Sequence, residues 1–221
     1  MGTSSDQAMA PDQAMAPDQA MAPRRTRLRR DQRSEQLLDV AEELFAELGF
    51  ENTSMEDIAR SAGVTRPIVY SHYATKEGIF LACVRRARRN LEDRLGELDV
   101  MLDNNASVTE VIQRSGEIFF ETLEQDPRRW SVLFSPRTAL SEDVTAQLRQ
   151  LRFGTIDRII QIARHMAGQE DADRISAYSH AISGVGEQLG RWWLANPTVR
   201  REQIVSYYRE FIMRGLAPLE A

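Results

Sequence analysis

Residues 53–77 read TSMEDIARSAGVTRPIVYSHYATKE, and their interpretation decides the rest of the chain. Both Thr53 and Ser54 have an acid three residues on, Glu56 and Asp57. That is the spacing of a capping box, so a helix begins at one of them. Met55, Ile58 and Ala59 supply its short apolar face. Gly63 ends it with the permissive backbone a tight turn requires. Thr65 is placed to cap a second helix, and Pro67 falls in that helix's first turn, where a missing N–H is harmless. The second helix runs to about Tyr73, and another starts near Thr75 with Lys76 and Glu77 in its first turn. Two short helices joined by a Gly-containing turn form a helix-turn-helix.

Upstream, Leu37, Ala41, Leu44, Phe45 and Leu48 recur at helical spacing, which predicts a first helix from about Asp31 to Leu48 with Gly49 as its stop. Before it lies RRTRLRRDQR, residues 24–33, with six Arg and one Asp. Alone, such a run is as readily a solvated surface as an arm lying on phosphates or entering a minor groove. Its position ahead of a helix-turn-helix favours DNA, with Arg29 and Arg30 nearest the module. Residues 6–23 are three copies of DQAMAP, too short a period to bury a face, and read as a disordered tail. The net charge of −5 hides an asymmetry. Residues 24–90 sum to +3 and residues 91–221 to −5, so a basic module precedes an acidic remainder.

The combination Ile58-Ala59, Ala62-Gly63-Val64, Thr65-Arg66-Pro67, Val69-Tyr70, His72-Tyr73 and Thr75-Lys76-Glu77, preceded by Gly49-Phe50, closely resembles the DNA-binding module of tetracycline-repressor (TetR)-like regulators. The resemblance is specific over residues 33–83; beyond them it covers only the layout of a long helical domain. In a helix-turn-helix the second helix lies in the major groove, which sets Thr65, Arg66, Pro67 and Ile68 toward base edges. Arg66 suits a guanine or a phosphate. Ile68 departs from the family, which often has a small or polar residue there. The resemblance implies that Tyr70, His72 and Lys76 contact phosphates, chemistry their donors can perform. Ser71 belongs to the same face, and Ser54 adds a contact from the preceding helix. Val64, Val69 and Tyr73 read as the module's own core.

Downstream, Ile79, Phe80, Cys83, Val84, Ala87, Leu91, Leu95 and Leu98 form one stripe, predicting a long helix from Lys76 to Leu102 that couples two domains. Arg85, Arg86, Arg88 and Arg89 on it read as a solvated or salt-bridged surface. Breaks at Asp103-Asn104-Asn105, Pro127, Pro136, Gly168 and Asn196-Pro197-Thr198, with caps at Ser107 and Ser141, divide the rest into helices. The expectation is an all-α fold of about nine helices. It divides into a disordered tail and basic arm (1–28), a three-helix helix-turn-helix domain (29–76) and a larger helical ligand-binding and dimerisation domain (77–221).

The resemblance implies a homodimer through the last two long helices, about 172–195 and 199–215. Ala181, Gly184, Val185, Leu189, Trp192 and Trp193 on one, and Ile204, Tyr207, Tyr208, Phe211 and Ile212 on the other, supply apolar faces. It also implies a small apolar or amphipathic effector held in the C-terminal domain. Phe119, Phe120, Leu123, Trp130, Phe134, Phe153, Met166, Tyr178 and Trp192 are the candidates to line its pocket. The single cysteine, Cys83, excludes an internal disulfide or cysteine-built zinc site, and His165 and His180 belong to no ligand constellation. No cofactor, metal or membrane partner is expected, and the absence of an apolar signal stretch points to a cytoplasmic protein. The reading is a repressor that binds a palindromic double-stranded operator as a dimer and is not an enzyme. An all-helical enzyme, or an interaction protein with a vestigial helix-turn-helix, is the alternative.

Overall fold

The structure, a computed structural model, describes residues 29–134, 140–168 and 170–216. The DQAMAP repeats, residues 24–28 of the basic arm and the break at Pro136 lie outside the described residues. Ten helices make up the described residues, and none of these residues is in a strand. They are α1 (Arg30–Asn52), α2 (Met55–Ser61), α3 (Arg66–His72), α4 (Lys76–Leu95) and α5 (Glu97–Asp103). They continue with α6 (Val108–Gln125), α7 (Pro127–Phe134), α8 (Glu142–Ala167), α9 (Ala172–Leu194) and α10 (Arg201–Leu216). The fold is all-α. The long helix expected over Lys76–Leu102 is present as α4 and α5, separated only at Gly96, which keeps helical angles (φ −59°, ψ −24°). Counted as one, they give the nine helices expected.

Local chemistry sets the boundaries. Gly49 takes φ 80° and kinks α1 at the expected stop, after which one further turn reaches Asn52. Thr53 and Ser54 divide the work at the next junction. The buried Thr53 hydroxyl donates to the carbonyls of Leu44 (3.3 Å) and Gly49 (2.8 Å), closing α1. Ser54 caps α2: its hydroxyl accepts from the Asp57 N–H, and the Asp57 carboxylate accepts from the Ser54 N–H. Gly63 turns the chain at φ 62° into α3. Ser107 with Glu110, and Ser141 before α8, repeat the capping logic.

Two apolar cores result. Leu37, Ile58, Val69, Ile79, Phe80 and Val84 centre the first, where Phe80 meets Phe45 (5.5 Å) and Phe50 (5.1 Å) edge to face, and Phe45 and Phe50 lie tilted at 5.7 Å. Leu98, Ile118, Phe120, Leu123 and Ile204 centre the second. α4 feeds both, its first half entering one core and Leu91 and Leu95 the other. So does the short α7, with Val132 in the first core and Trp130 in the second.

An ion network rivets this junction. Glu42 of α1, only 5% exposed, accepts from Arg86 Nε of α4 (3.2 Å) and from Arg129 Nε of α7 (2.9 Å), and the Arg86 Nη2 is ion-paired with it at 2.6 Å. Burial pushes the Glu42 carboxyl above its ordinary pKa, against the pull of both guanidiniums. Burial opposes the Arg86 charge too, but Glu42, Glu35 and Asp39 hold it firmly protonated. The arginine run on α4 is thus not a uniform surface. Arg85 and Arg89 face solvent, Arg86 serves the junction, and Arg88 is turned into the second core. Their spacing separates them around the helix, and packing decides the fate of each.

Candidate nucleic-acid interface and ligand cavity

α3 presents one continuous outward face. Thr65, Arg66, Pro67, Ile68, Tyr70 and Ser71 are all exposed, while Val69 between them is fully buried against α1, α2 and α4. Val64 and Tyr73 pack against the same core, and the Tyr73 hydroxyl meets that of Ser34 at 2.7 Å. Thr65 occupies the N-cap position of α3 with extended angles, but its side chain makes no capping bond. The hydroxyl is therefore not committed to the helix. The Arg66 guanidinium meets Glu56 of α2 at 3.3 Å, both well exposed, a contact weak enough for another anion to replace. The Ser71 hydroxyl donates back to the Ile68 carbonyl (2.7 Å).

His72, half-buried at the end of α3, has its imidazole pKa lowered by burial and then by the charges of Arg30 and Arg33. That effect marks the start of α1 and the end of α3 as one electropositive neighbourhood. Arg29 precedes α1, its N–H donating to the Gln32 side chain, and Arg29 and Arg30 are exposed beside it. Ser54 is exposed, but its hydroxyl also donates to Asp57 (2.5 Å), leaving little capacity beyond the cap.

Lys76 has a role that sequence reasoning missed. Its ammonium donates to the carbonyls of Phe50 (2.8 Å) and Glu51 (3.3 Å) and lies 4.3 Å from the centre of the Phe50 ring. It ties the end of α1 to the start of α4. Two of its three protons are used, and one remains for a phosphate. The partner lies 26 residues upstream, so no local pattern announces it.

A cavity of about 310 Å³ lies among α4, α6, α8, α9 and α10, with Trp130 of α7 in its wall. Of the nine pocket candidates, Phe119, Trp130, Met166 and Tyr178 line it. The other five do not. Phe120 and Leu123 are fully buried on other faces of α6, Phe120 edge-on to Trp193 and Tyr208, and Leu123 against Gly190. Phe134 stacks on Trp130 from behind, beneath Arg191. Phe153 and Trp192 are about half exposed. The reading overlooked Leu91, Leu95 and Leu98 of α4 and α5, Ile159 and Ile162 of α8, Ile182 of α9, and the polar Arg88 and Glu187. The Tyr208 hydroxyl, also in the wall, has its pKa pushed up to about 12 by burial.

On α9 and α10 the apolar residues divide. Trp193, Ile204, Tyr208 and Ile212 are buried within the chain, whereas Trp192, Tyr207 and Phe211 stand out from it. Ala181 is exposed on the same helix, and the space over Gly184 is open. Among the described residues no helix is long and apolar enough to cross a membrane, and no cluster of His, Cys, Asp and Glu could hold a metal ion.

Comparison with known proteins adds to this geometry. Residues 37–83 match the family described as bacterial regulatory proteins, tetR family. Those residues run from the first core residue of α1 to Cys83 of α4. The chain is 27% identical over 196 residues to the HTH-type transcriptional activator FasR of Mycolicibacterium smegmatis, covering 88% of this chain and 87% of that one. It superimposes with a TM-score of 0.69 and 25% identity on a TetR-like transcriptional regulator from Rhodococcus sp. RHA1, covering 86% and 99% of the two chains. The transcriptional regulator FadR of Bacillus subtilis, solved in complex with stearoyl-CoA, shares the fold at a TM-score of 0.67 and 17% identity, with 80% and 95% covered.

Proposed function

We propose that the chain is a TetR-like transcriptional regulator, as its match to that family over residues 37–83 and its likeness to such regulators support, and that it represses from a palindromic operator as a homodimer and releases it when an amphipathic effector enters the cavity. The observation that carries the DNA half is the face of α3. Six of the seven residues from Thr65 to Ser71 are exposed around a fully buried Val69, so the helix is anchored from behind and free in front. Thr65, Arg66, Pro67 and Ile68 face base edges, with Arg66 reading guanine and Ile68 meeting a thymine methyl. Tyr70, Ser71, His72, Lys76 and the arm through Arg29 and Arg30 meet phosphates and fix the register, while Ser54, committed to its cap, holds α2 in place.

The dimer forms through α9 and α10, whose exposed Trp192, Tyr207 and Phe211 supply the apolar surface. A two-fold axis there sets two α3 helices on successive major-groove faces. The effector is an elongate molecule with an apolar chain, since the cavity wall is mostly aliphatic and aromatic. Its arrival is felt by Trp130, whose helix holds α1 through Arg129, and by α4, which carries the reading head. A shift of either moves the two α3 helices apart or together and changes their match to DNA. Control in the opposite sense, activation from the same operator, is a second reading, favoured by the activator relative that covers most of this chain.

Selection of bound DNA from a random pool tests the proposal. The expected product is two inverted half-sites about 10 base pairs apart, centre to centre, or a multiple of that. Tyr70→Phe and Lys76→Ala should weaken binding to all sequences alike, with Lys76→Ala lowering the salt slope by about one contact. Arg66→Ala should relax the preference at one position, by about 1–3 kcal/mol of discrimination. Unchanged affinity and preference in all three variants would remove α3 from the interface. A reporter driven by the selected site, with and without the protein, separates repression from activation.

A further inference from the structure

The cavity wall is apolar along most of its length but not at its ends. The outer end, at the turn between α8 and α9, carries Glu170 and Arg174, both open to solvent. The inner end lies at Glu187, about 20 Å further along α9 at 1.5 Å per residue, and carries Arg88, Thr155 and Ser183 as well. An elongate molecule entering past Glu170 and Arg174 would meet the second polar region only when fully inserted.

Arg88 is the unusual member of that region. Its side chain is 14% exposed, yet its hydrogen bonding is incomplete. One terminal nitrogen donates to the Thr155 hydroxyl at 3.2 Å, and the other reaches Glu187 only at 3.5 Å. Its Nε has no partner and no open surface, so the terminal nitrogen with the long contact to Glu187 is the one a ligand could match better. The surroundings are already spoken for. Glu187 is held by Arg152 at 3.1 Å, and Thr155 donates its own proton to Glu92 at 3.1 Å. Two arginines and two glutamates balance in charge, so the region lacks an acceptor and not a counter-ion. A largely buried donor matched only at 3.5 Å is poorly compensated, and a ligand acceptor that matches it better recovers free energy on binding.

We propose that the inner end receives an oxygen acceptor carried at the leading end of an elongate aliphatic ligand, with Arg88 as the residue that receives it. The inference rests on the effector reading of the cavity given above. It narrows the ligand to chains bearing a hydroxyl or carbonyl oxygen remote from the bulky polar head. A chain ending in a methyl group leaves Arg88 as it was and places hydrocarbon beside a charge. Arg88 sits on α4, so the contact is made directly on the helix that enters both cores.

Calorimetric titration of the full chain with hexadecanoyl-CoA and 16-hydroxyhexadecanoyl-CoA isolates the leading end, because the two differ only there. The hydroxylated thioester should bind roughly tenfold tighter or more, the scale of one hydrogen bond to a charged group. Arg88→Met and Arg88→Gln should abolish the preference while retaining helical circular dichroism. Should either variant fail to fold, the wild-type comparison decides alone. Equal affinities in the wild type, or a preference that survives in a folded variant, overturn the assignment of Arg88. Equal binding accompanied by release of DNA leaves the effector reading standing and removes only Arg88. If neither thioester binds the wild type, both readings fall together.

Discussion

Glu42→Gln is the substitution that most directly tests the junction between the two cores. The glutamine keeps the shape but presents one oxygen and one amide NH₂ to two guanidiniums, so one arginine faces a donor. Removing one partner of a buried ion pair typically costs about 3–5 kcal/mol. Two features reduce that figure. Arg86 keeps Glu35 and Asp39, each at 2.8 Å, and Arg129 keeps Asp126 at 3.1 Å. Burial already weighs against the Glu42 charge, so neutralising it returns part of the loss. The expected destabilisation is about 2–3 kcal/mol, which for a chain of this size lowers Tm by roughly 5–10 °C. Differential scanning calorimetry at pH 7 reads it, with Glu43→Gln as the comparison. Glu43 meets Arg128 at 3.6 Å with both side chains more than half exposed, so its loss should change stability by under about 0.5 kcal/mol. Equal shifts in the two variants, or an unchanged Tm for Glu42→Gln, would show that the network does not hold α1 to α4 and α7.

Two glycines should respond in opposite ways to alanine. A Cβ at Gly116 would lie 2.8 Å from the buried Tyr208 ring, so overpacking of about 1–3 kcal/mol outweighs the gain of up to about 1 kcal/mol in helix propensity, and Tm should fall. Nothing lies over Gly184, so Gly184→Ala should stabilise the fold by about 0.5–1 kcal/mol yet weaken self-association in sedimentation experiments, because a second α9 needs that space. His72 should couple DNA binding to pH. Its pKa in the free protein lies below 6.5, so the stability tied to the neutral ring is present above pH 6.5 and lost as pH falls through the free-state value. Phosphates beside the ring raise its pKa in the complex, so affinity should increase as pH falls from about 7 into that window, and His72→Asn should flatten the profile in binding titrations.

What sequence could disclose here was what neighbours in sequence decide. Ser54 with Asp57, Ser107 with Glu110, and Gly63 in its turn are local devices, and each is found where its spacing implies. The choice between Thr53 and Ser54 was not local, since both had the right acid and only packing against α1 buried Thr53. Phe119 and Phe120 are adjacent and equally apolar, and a turn of 100° sends one to the cavity and the other into the core. The same rotation separates Arg88 from Arg89. Lys76 finds Phe50 across 26 residues, which no periodicity encodes. Glu42 did leave a trace: it sits at a stripe position between Leu38 and Phe45, where an acid is out of pattern unless something pairs with it.

The eight residues of α7 belong to neither half of the molecule alone. A fragment ending with α4 would lose Val132 from its core and Arg129 from Glu42, leaving a hole and a buried carboxylate with Arg86 as its remaining partner. A fragment beginning at α6 would keep α7 but expose the side of it that α1 covers. The two halves should therefore melt in one transition, without a stage in which the reading head survives alone. The same feature constrains how such proteins diversify. A sensor domain grafted onto this head by recombination must bring an α7 that fits the recipient's α1, so the seam that recombination has to match is a helix late in the chain and not the linker after the head.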